Sequence, residues 1–300
     1  MTIAFVLVVC RLLWHDRNLL LILVNSLTLF LYLPALPVLV VAIRSRRFLK
    51  SVFAGILVVF QIFFTAHSFA FNGSAKETGE DNLCIVSANL FYENVQATHL
   101  IEELLAYNAD LLLLQEYTPA WDSLFKSRSS YPYVLKSPRS DPRGRAIFSK
   151  YPLAEDETLK RVDIMGARVN MRDRCFDILN VHFYPPGFVY YEEHVEQRNL
   201  LLGQLDAFKS KDMIIAGDFN ATEHSGFYNE MASVFVDSFK EAGRGFGATW
   251  PNFAGLSFIR IDHLFHSDRF ECIRIDRGEG RGSDHRPVIA EFTLKNSLKE

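Results

Sequence analysis

The chain has 300 residues, with 32 basic and 35 acidic side chains and a formal net charge of −3 at pH 7. This length allows one large domain or two small ones. The charge is unevenly distributed, because residues 1–71 contain six basic residues and one acidic residue, which leaves 26 basic and 34 acidic residues in the remainder. An acidic domain lacks the broad basic surface that sequence-independent nucleic-acid binding needs, so the composition disfavours a nuclease without excluding one.

The four cysteines, at positions 10, 84, 175 and 272, show neither CxxC spacing nor neighbouring histidines in a zinc pattern. A zinc site is therefore not expected. The sequence does not decide whether any two of the cysteines are bridged.

Two long uncharged runs dominate the first 71 residues. Residues 19–43 form 25 positions without a charge, and residues 51–71 are also uncharged. At 1.5 Å per residue the first run would make about 37 Å of helix, enough to cross a ~30 Å hydrocarbon core. We therefore expect residues 1–71 to be a transmembrane region with two long spans. The short apolar segment at 2–10 is either the remainder of a third span or an incomplete signal-like segment.

The segment between the two runs is strongly basic. Residues 44–50 contain Arg44, Arg46, Arg47 and Lys50, and the positive-inside rule predicts a cytoplasmic location for them. One further crossing then delivers the rest of the chain to the outside of the cell (inner) membrane. The polar residues 72–81 are typical of a flexible linker.

From residue 82 onward the pattern alternates between strands and helices, and it predicts a domain over residues 82–300. Strands are predicted over 83–88, 110–115, 146–149, 162–171, 176–183, 213–216, 258–265, 271–275 and 288–294, and helices over 97–107 and 191–208. The nearly pure apolar run at 110–115 is typical of a strand buried on both faces. Short spacings between the late strands favour antiparallel neighbours, so we expect mixed sheets.

The stretch 213–220 is the most informative one. An apolar strand ends at Gly217, and Asp218 and Asn220 follow with one residue between them, a spacing that puts both on one side of an extended chain. Asp218 can deprotonate or orient a water, and Asn220 can donate a hydrogen bond to an anionic oxygen. The alternative is that Asp218 starts a turn or caps a helix and that Asn220 is ordinary turn chemistry.

Polar residues also stand at or just after other predicted strand ends. They are Asn89, Glu116, His182, Asp262 and the pair Asp284–His285. Each has an ordinary alternative: Glu116 as a helix cap, His182 as a satisfied buried imidazole, and Asp262 as the ion-pair partner of Arg260. The number and order of these residues, rather than any one of them, favour a site.

The ordered motifs NLFYEN, LLLLQE, RAIFSK, LNVHF, AGDFN, RIDH and SDHRP resemble the endonuclease/exonuclease/phosphatase superfamily, which has the fold of DNase I. The resemblance covers roughly residues 82–294, and its strength lies in the ordered set rather than in single motifs. It implies a four-layer α/β sandwich, with two mixed β-sheets packed face to face and helices outside, preceded here by transmembrane helices. With its apolar leader the chain also looks like bacterial multi-span proteins that carry this domain at the carboxyl end.

The resemblance implies a metal site lined by Asn89 and Glu116, with Glu116 as the principal ligand and Asp284 beside the metal. The implied cofactor is Mg²⁺, with Mn²⁺ as a substitute. A carboxylate oxygen is a ligand that this hard cation prefers.

The resemblance also implies five catalytic residues. Asp218 positions or activates the water, Asn220 holds the phosphate, and His285 contacts the scissile phosphate while Asp262 orients it. His182 matches the histidine of the DNase I and sphingomyelinase branches. Phosphoryl chemistry requires donors to the developing charge and an aligned water, which agrees with these roles. The substrate-binding residues are unknown at this point.

Two departures from family patterns argue against two of its subfamilies. Phe91 stands where AP endonucleases commonly have an acidic residue, and the inositol 5-phosphatase signature is missing at residues 258–262. His263 and His266 are not expected to ligate metal, and His263 should point away from Asp262 because the two are neighbours on a strand.

The expected function is that of a membrane-anchored, metal-dependent phosphoesterase that hydrolyses a phosphodiester, either a lipid headgroup or a nucleic acid. The first alternative is an extracytoplasmic nuclease with a basic groove built from arginines 139, 143, 145, 281 and 286. The second is a catalytically inactive, membrane-tethered binding module, which would be expected to have lost at least one polar position, and none of the matched ones is lost. The expected partners are the phosphoester substrate and the lipid bilayer, and no protein partner can be inferred.

Overall fold

The structure, a computed structural model, describes residue 16 and residues 18–73, 82–156, 164–253 and 255–295. The predicted short segment at 2–10, most of the linker at 72–81 and the start of the strand predicted from residue 162 lie outside these residues. The described part opens with four helices: α1 (Leu19–Ser26), α2 (Thr28–Leu31), α3 (Ala35–Arg44) and α4 (Phe48–Ser68).

The first apolar run is a bent helical segment rather than one straight helix. It breaks at Leu27 and again before α3, where Pro34 precedes the first helical residue; proline has no backbone N–H and interrupts helix hydrogen bonding. By length and composition α4 is able to cross a membrane, and a second span is present if the bent segment, which turns by 74°, counts as one.

The domain after residue 82 contains two six-stranded sheets. The first has the order β11–β12–β1–β2–β4–β3 and the second the order β5–β6–β7–β8–β10–β9. The strands are β1 (Leu83–Asn89), β2 (Leu111–Gln115), β3 (Tyr133–Ser137), β4 (Arg145–Ser149), β5 (Leu153–Asp156), β6 (Met165–Met171), β7 (Arg174–His182), β8 (Met213–Asp218), β9 (Val236–Asp237), β10 (Asp262–His266), β11 (Phe270–Arg277) and β12 (Val288–Leu294).

Six helices accompany the sheets. They are α5 (Ala97–Ala106), α6 (Pro119–Arg128), α7 (Tyr191–Leu202), α8 (Leu205–Phe208), α9 (Gly226–Ala232) and α10 (Ser238–Ala242). Because the sheets pack face to face and the helices cover their outer faces, the predicted sandwich of mixed sheets is confirmed.

The core follows the two-residue period of the strands. In β2, Leu111 and Leu113 belong to the cluster between the sheets, whereas Leu112 and Leu114 belong to the cluster under α5 and α6. Successive side chains of a strand point to opposite faces, so a strand covered on both faces must be apolar at every position. The apolar run predicted to be buried on both sides is buried at all five positions of β2.

Several elements differ from those predicted. The helix predicted over 191–208 is interrupted between α7 and α8, and the strand predicted from residue 258 begins at Asp262. Six elements were not predicted, namely the helices α6, α9 and α10 and the strands β3, β5 and β9. The start of α6 has a signal, because the Thr118 side chain accepts a hydrogen bond from the Trp121 N–H and Pro119 follows at the first helical position. The edge strand β3 is largely solvent-facing and lacks a clear apolar alternation.

The N-terminal helices pack on the domain rather than hanging free of it. The Asp16 carboxylate accepts from the N–H of Gly226 at 2.7 Å and from Arg198 at 2.8 Å. The Ser68 hydroxyl, at the end of α4, lies 2.9 Å from the His224 Nε2. These contacts hold the segment that follows Asn220, so the helices brace a loop that leaves the site described below.

Candidate active site

Three neighbouring strands of the second sheet place three polar side chains side by side. In the parallel pair β7–β8, His182 is the register partner of Asp218. In the antiparallel pair β8–β10, Asp218 is the register partner of Asp262. Strand ends that share an edge bring their side chains together, so the sheet register alone assembles His182, Asp218 and Asp262.

The first sheet contributes Asn89 and Glu116 from the ends of its parallel pair β1–β2. The Asn89 Nδ2 donates to Glu116 Oε1 and to Asp218 Oδ2, both at 3.1 Å. The other carboxylate oxygen of Glu116 accepts from the Tyr92 N–H at 2.8 Å. Asn89 therefore links the two sheets at the site and fixes the distance between the two carboxylates.

A buried polar bridge that the sequence reasoning missed lies directly below. The Gln115 Nε2 donates to Asn180 Oδ1 at 2.7 Å, and the Asn180 Nδ2 donates to the carbonyls of Leu114 and Ala146, both at 3.0 Å. Buried amides that are well hydrogen-bonded fix a single arrangement of the elements they join. Gln115 lies in the motif LLLLQE and Asn180 in the motif LNVHF. Their membership in these motifs is the signal by which both residues could have been found.

The loop before β12 supplies Asp284 and His285. The His285 Nδ1 lies 2.9 Å from Asp262 Oδ2, and its Nε2 lies 3.7 Å from Asp218 Oδ2. Ser283, which was not singled out, donates to the Asn89 carbonyl at 2.8 Å and accepts from the His285 N–H at 3.0 Å. Its hydroxyl thereby fastens the histidine loop to β1.

The turn after β8 needs special backbone geometry. Gly217 has φ +143°, and a Cβ there would lie 1.9 Å from the Val181 carbonyl oxygen, so a side chain is excluded. Asn220, at φ +47°, returns its N–H to Asp218 Oδ1 at 2.9 Å. Asp218 and Asn220 thus meet through a turn and not through a continued extended strand, and the turn role foreseen as an alternative coexists with the site.

Burial and neighbouring charges together set the protonation states of the site residues. Burial raises the pKa of Asp218 to about 7 in spite of the His285 cation nearby. Burial alone would lower the pKa of His285, but the Asp262 and Asp218 carboxylates outweigh it and raise this pKa to about 10. Burial lowers the pKa of His182 to about 3, with Arg145 and His285 adding to the effect. At neutral pH the site therefore holds a cationic His285 and a neutral His182.

A divalent cation fits the Glu116 end of the site. Burial raises the pKa of Glu116, and hydrogen bonds from Tyr92 and Asn89 offset this only in part. Among the described residues its only ion-pair contact is the His182 Nε2, at 3.8 Å, and that imidazole is neutral. A buried carboxylate without a cationic partner is the kind of hard oxygen ligand that Mg²⁺ accepts.

A second group of ligand atoms is compact enough for an ion. Those of Asp218, Asp262 and His285 lie within 4.8 Å of one another. However, the His285 imidazole is cationic at neutral pH and paired with Asp262, so it is a poor ligand. Glu116 remains the better anchor for a metal.

The site opens into a cavity of about 410 Å³. Aromatic side chains that sequence reasoning did not identify line it, among them Tyr92, Tyr184, Tyr190 and Trp250. The indole Nε1 of Trp250 donates to Asp284 Oδ2 at 3.2 Å. Asp284 therefore stands at the wall of the cavity, beside the groups it was predicted to join.

The five arginines proposed for a basic groove are all engaged by the protein. Arg139 and Arg143 both pair with Asp141, and Arg281 pairs with Glu279. Arg145 is buried and donates to the His182 carbonyl, and Arg286 donates to the Gly278 carbonyl. Only Arg143 among them lines the cavity.

The structure agrees with the prediction that His263 points away from Asp262. The His263 Nε2 lies 2.7 Å from the Ala221 carbonyl, and its ring packs against Phe219 and Tyr228 on the face opposite to Asp262. His266 contacts Glu241 at 3.0 Å, away from the site. Cys84, Cys175 and Cys272, the cysteines among the described residues, are unbridged.

The fold is shared with several solved structures. A humanized D. rerio TDP2 with 14 mutations is 20% identical, with a TM-score of 0.58, and the match covers 72% of this chain and 100% of that one. An endonuclease/exonuclease/phosphatase from Bacteroides vulgatus is 17% identical, with a TM-score of 0.59 and the same coverage. The human Nocturnin catalytic domain with bound sulfate is 18% identical, with a TM-score of 0.56 over 73% of this chain and 97% of that one.

Comparison of the sequence, unlike the shared fold, identifies a family. No curated protein matches the chain. The model of the Endonuclease/Exonuclease/phosphatase family matches residues 86–285, a range that runs from β1 to His285 and includes every predicted site residue. The chain therefore belongs to the Endonuclease/Exonuclease/phosphatase family.

Proposed function

We propose that the protein is a membrane-anchored, Mg²⁺-dependent phosphoesterase that hydrolyses a phosphodiester. The observation that carries this proposal is the convergence of Glu116 and Asn89 with Asp218, and of Asp218 with the Asp262–His285 pair, at one cavity. Members of the family are hydrolases that act on phosphoester bonds, and they are generally dependent on divalent metals.

Asp218 is the group that takes a proton from the attacking water. A pKa near 7 suits a general base at neutral pH, because the carboxylate is then both available and basic enough. The water oxygen bonds to phosphorus, the bond from phosphorus to the leaving oxygen breaks, and the leaving oxygen takes up a proton. The products are a phosphomonoester and an alcohol.

Asn220 and His285 stabilise the phosphate. One Asn220 amide hydrogen is fixed on the Phe183 carbonyl at 2.9 Å, and the second, only loosely held by Asp218 Oδ2 at 3.3 Å, is available to a phosphate oxygen. The cationic His285, oriented by Asp262, supplies positive charge where negative charge develops. A divalent cation held by Glu116, Asn89 and Asp284 would neutralise charge on a non-bridging oxygen.

The exposure of α4 supports the membrane anchor. This helix of 21 residues is mostly exposed along its length, and its exposed side chains include Phe48, Leu49, Val59 and Ile62. A soluble protein rarely exposes so long an apolar face. Four basic residues from Arg44 to Lys50 stand at the end of the α3–α4 hairpin opposite to Ser68 and the domain, which supports a domain outside the cytoplasm.

The two alternatives are less well supported. A nuclease would need a basic groove, and four of the five candidate arginines do not line the cavity. A DNA product is bound in a D. rerio TDP2 structure, which makes nucleic acid a necessary arm of any substrate test. An inactive binding module would not be expected to preserve the hydrogen bonds among Asn89, Glu116 and Asp218.

The decisive experiment uses the full chain purified in detergent with Mg²⁺. It is assayed on bis(p-nitrophenyl) phosphate, phospholipids, DNA, RNA and phosphate monoesters. Glu116→Gln keeps the shape but removes the metal-binding charge, so we expect a loss of about 10²-fold or more. Glu102→Gln, on the exposed face of α5, is the matched control and should leave activity unchanged. Activity that survives EDTA, or an active Glu116→Gln variant, would overturn the metal-dependent mechanism.

A further inference from the structure

Residues 250–253 and 255–259 pair as the two arms of a hairpin, called the 250–259 hairpin below; its base belongs to the active site and its far end carries apolar side chains. Two backbone bridges pair its arms, and the Trp250 indole at its base donates to Asp284. Phe253 and Leu256, which flank the turn, are each 66% exposed. Two large apolar side chains are therefore held in the open beside the catalytic groups.

The hairpin is fixed to the site and not loosely attached to it. The Asn252 N–H donates to the Asp284 carbonyl at 2.7 Å, and its side-chain amide donates to the Glu279 carbonyl at 2.8 Å. Arg286 donates to the Gly255 carbonyl at the turn, at 3.4 Å. A tip on a base with this many hydrogen bonds keeps a defined position relative to the cavity.

The same hairpin touches the N-terminal helices. The Phe258 ring packs edge-on against the Phe30 ring of α2, with 6.4 Å between the ring centroids. The loop that leaves Asn220 contacts the same segment, because the Thr222 hydroxyl donates to the Asn25 carbonyl at 3.2 Å. Hairpin and catalytic loop therefore both lie at the domain end of the helices.

A second apolar loop, formed by residues 185–190, borders the cavity. Phe188 is 91% exposed and Val189 77% exposed. The adjoining Tyr190 ring stacks on Tyr184 at 5.0 Å, and both tyrosines line the cavity. The cavity is thus flanked by two exposed apolar tips, one on each of two segments that line it.

A lipid surface is the occupant that fits these tips. Exposed aromatic rings can stack on nucleic-acid bases, but binding of this polyanion also needs cationic side chains, and only Arg143 of the five candidate arginines lines the cavity. Aromatic and aliphatic side chains on an anchored protein are typical of the region where headgroups meet acyl chains. The helices beside Phe258 already bring a bilayer to this side of the domain, if they cross it as proposed.

We propose that the 250–259 hairpin and the 185–190 loop insert into the surface of the bilayer that anchors the chain. The cavity then takes the headgroup phosphodiester of a phospholipid directly from that bilayer. This inference rests on the proposed function and names the substrate class of the same site. Cleavage follows the same balance, in which water adds to phosphorus, the phosphoester bond to the leaving oxygen breaks, and a monoester and an alcohol result.

The test compares two substrates in one preparation. The full chain is reconstituted into phosphatidylcholine–phosphatidylglycerol vesicles and assayed on the lipid and on water-soluble bis(p-nitrophenyl) phosphate. We expect Phe253→Glu and Leu256→Glu to lower lipid hydrolysis by about tenfold or more, since each removes a large apolar contact with the bilayer. Hydrolysis of the soluble diester should stay within about twofold of wild type. Val134→Glu, at an exposed position of the edge strand β3, should change neither rate.

The outcomes separate the two proposals. If the wild type hydrolyses the soluble diester but no lipid, or if it prefers DNA, the lipid-surface inference fails while the phosphoesterase stands. If the wild type hydrolyses no phosphodiester, the proposed function fails. Equal losses on both substrates would show that the hairpin acts on the fold and not on the membrane, which also overturns the inference.

A direct readout of insertion does not depend on activity. Leu256→Trp places an indole at the hairpin tip, and brominated lipids quench indoles that lie in the bilayer. We expect the added emission of this variant to be quenched in brominated vesicles, whereas that of Val134→Trp should not be. An unquenched Leu256→Trp in reconstituted protein would overturn the proposal.

Discussion

Burial and a neighbouring cation shift the pKa of Asp218 in opposite directions. Burial raises its pKa to about 7, while the His285 cation, 3.7 Å away, favours the ionised form. A base and a cation that share one reacting phosphate work as a unit, so the loss of either removes most of what the other contributes. The pair offers the clearest test of the mechanism at the level of single residues.

We therefore expect Asp218→Asn and His285→Ala each to lower turnover by about 10²-fold or more. The double variant should lose much less than the product of the two single losses. Asp218→Asn combined with His99→Ala, on the exposed surface of α5, is the additive control. Strict additivity of Asp218→Asn with His285→Ala in a double-mutant cycle would show that the two do not share a site.

The sequence predicted which residues form this site better than it predicted the contacts between them. Polar residues at or after the ends of apolar strands, together with the ordered motifs, identified Asn89, Glu116, Asp218 and His285, which the structure brings together. The roles of Ser283 and Trp250 were not predictable, because each acts through a contact between segments far apart in the chain.

At the level of elements, the strands that build the site were predicted best. A strand buried on both faces leaves a continuous apolar run, and β2 and β8 have that signature. The edge strand β3 and the two-residue β9 leave no such pattern, because solvent or a short pairing replaces the second face. The break between α7 and α8 and the 250–259 hairpin depend on tertiary contacts and could not be read from periodicity.

The N-terminal helices contribute more than a tether, because they support the loop that follows Asn220. Asp16 and Arg198 form a buried pair, and the same carboxylate caps the start of α9 at Gly226. Breaking a buried pair by removing one charge costs about 3–5 kcal/mol, since the remaining charge stays unpaired. At this position the lost stability affects the loop that follows the catalytic residue Asn220.

We expect Asp16→Asn to destabilise the full chain by that order and to lower turnover as well. Thermal unfolding in detergent and steady-state kinetics measure the two effects. Asp206→Asn removes a carboxylate from an exposed pair with Lys209 and should change neither quantity. An Asp16→Asn variant indistinguishable from Asp206→Asn would reduce the helices to a simple tether.

Over the whole molecule, buried neutral histidines make stability depend on mild acid. Burial lowers the pKa of His194 to about 4, with Arg198 adding to the effect. Its unfolded value is about 6.5, so between these values the unfolded chain binds a proton that the folded chain does not. Stability from this residue is complete above about pH 6.5 and is lost as the pH falls toward 4.

This linkage predicts a smaller acid sensitivity for His194→Gln. Between pH 7 and pH 5 the wild type should lose about 2 kcal/mol more unfolding free energy than the variant does. Chemical denaturation at the two pH values measures the difference. His99→Gln, which changes an exposed histidine, serves as the control and should follow the wild type. Equal losses in wild type and His194→Gln would show that His194 titrates normally in the folded protein.

The last prediction concerns the side of the membrane on which the whole domain works. The basic residues from Arg44 to Lys50 lie at the turn that joins α3 to α4, from the last residue of α3 to the first turn of α4, at the end of this hairpin that is remote from the domain. Basic loops are retained in the cytoplasm far more strongly than acidic ones are exported, and α4 is long enough for the crossing that follows. Arg11 and Arg17 give a weaker signal in the opposite sense, because they are fewer.

We therefore expect protease added to intact spheroplasts to remove the domain that follows Asn72, while a cytoplasmic marker protein stays whole. A variant with neutral residues in place of Arg44, Arg46, Arg47 and Lys50 should show a protected fraction, since the charge bias that sets the orientation is then gone. If the wild-type domain were fully protected until the cells are lysed, the domain would face the cytoplasm. The active site would then meet the inner leaflet and intracellular nucleic acids, and nucleic acids would become the first substrates to test.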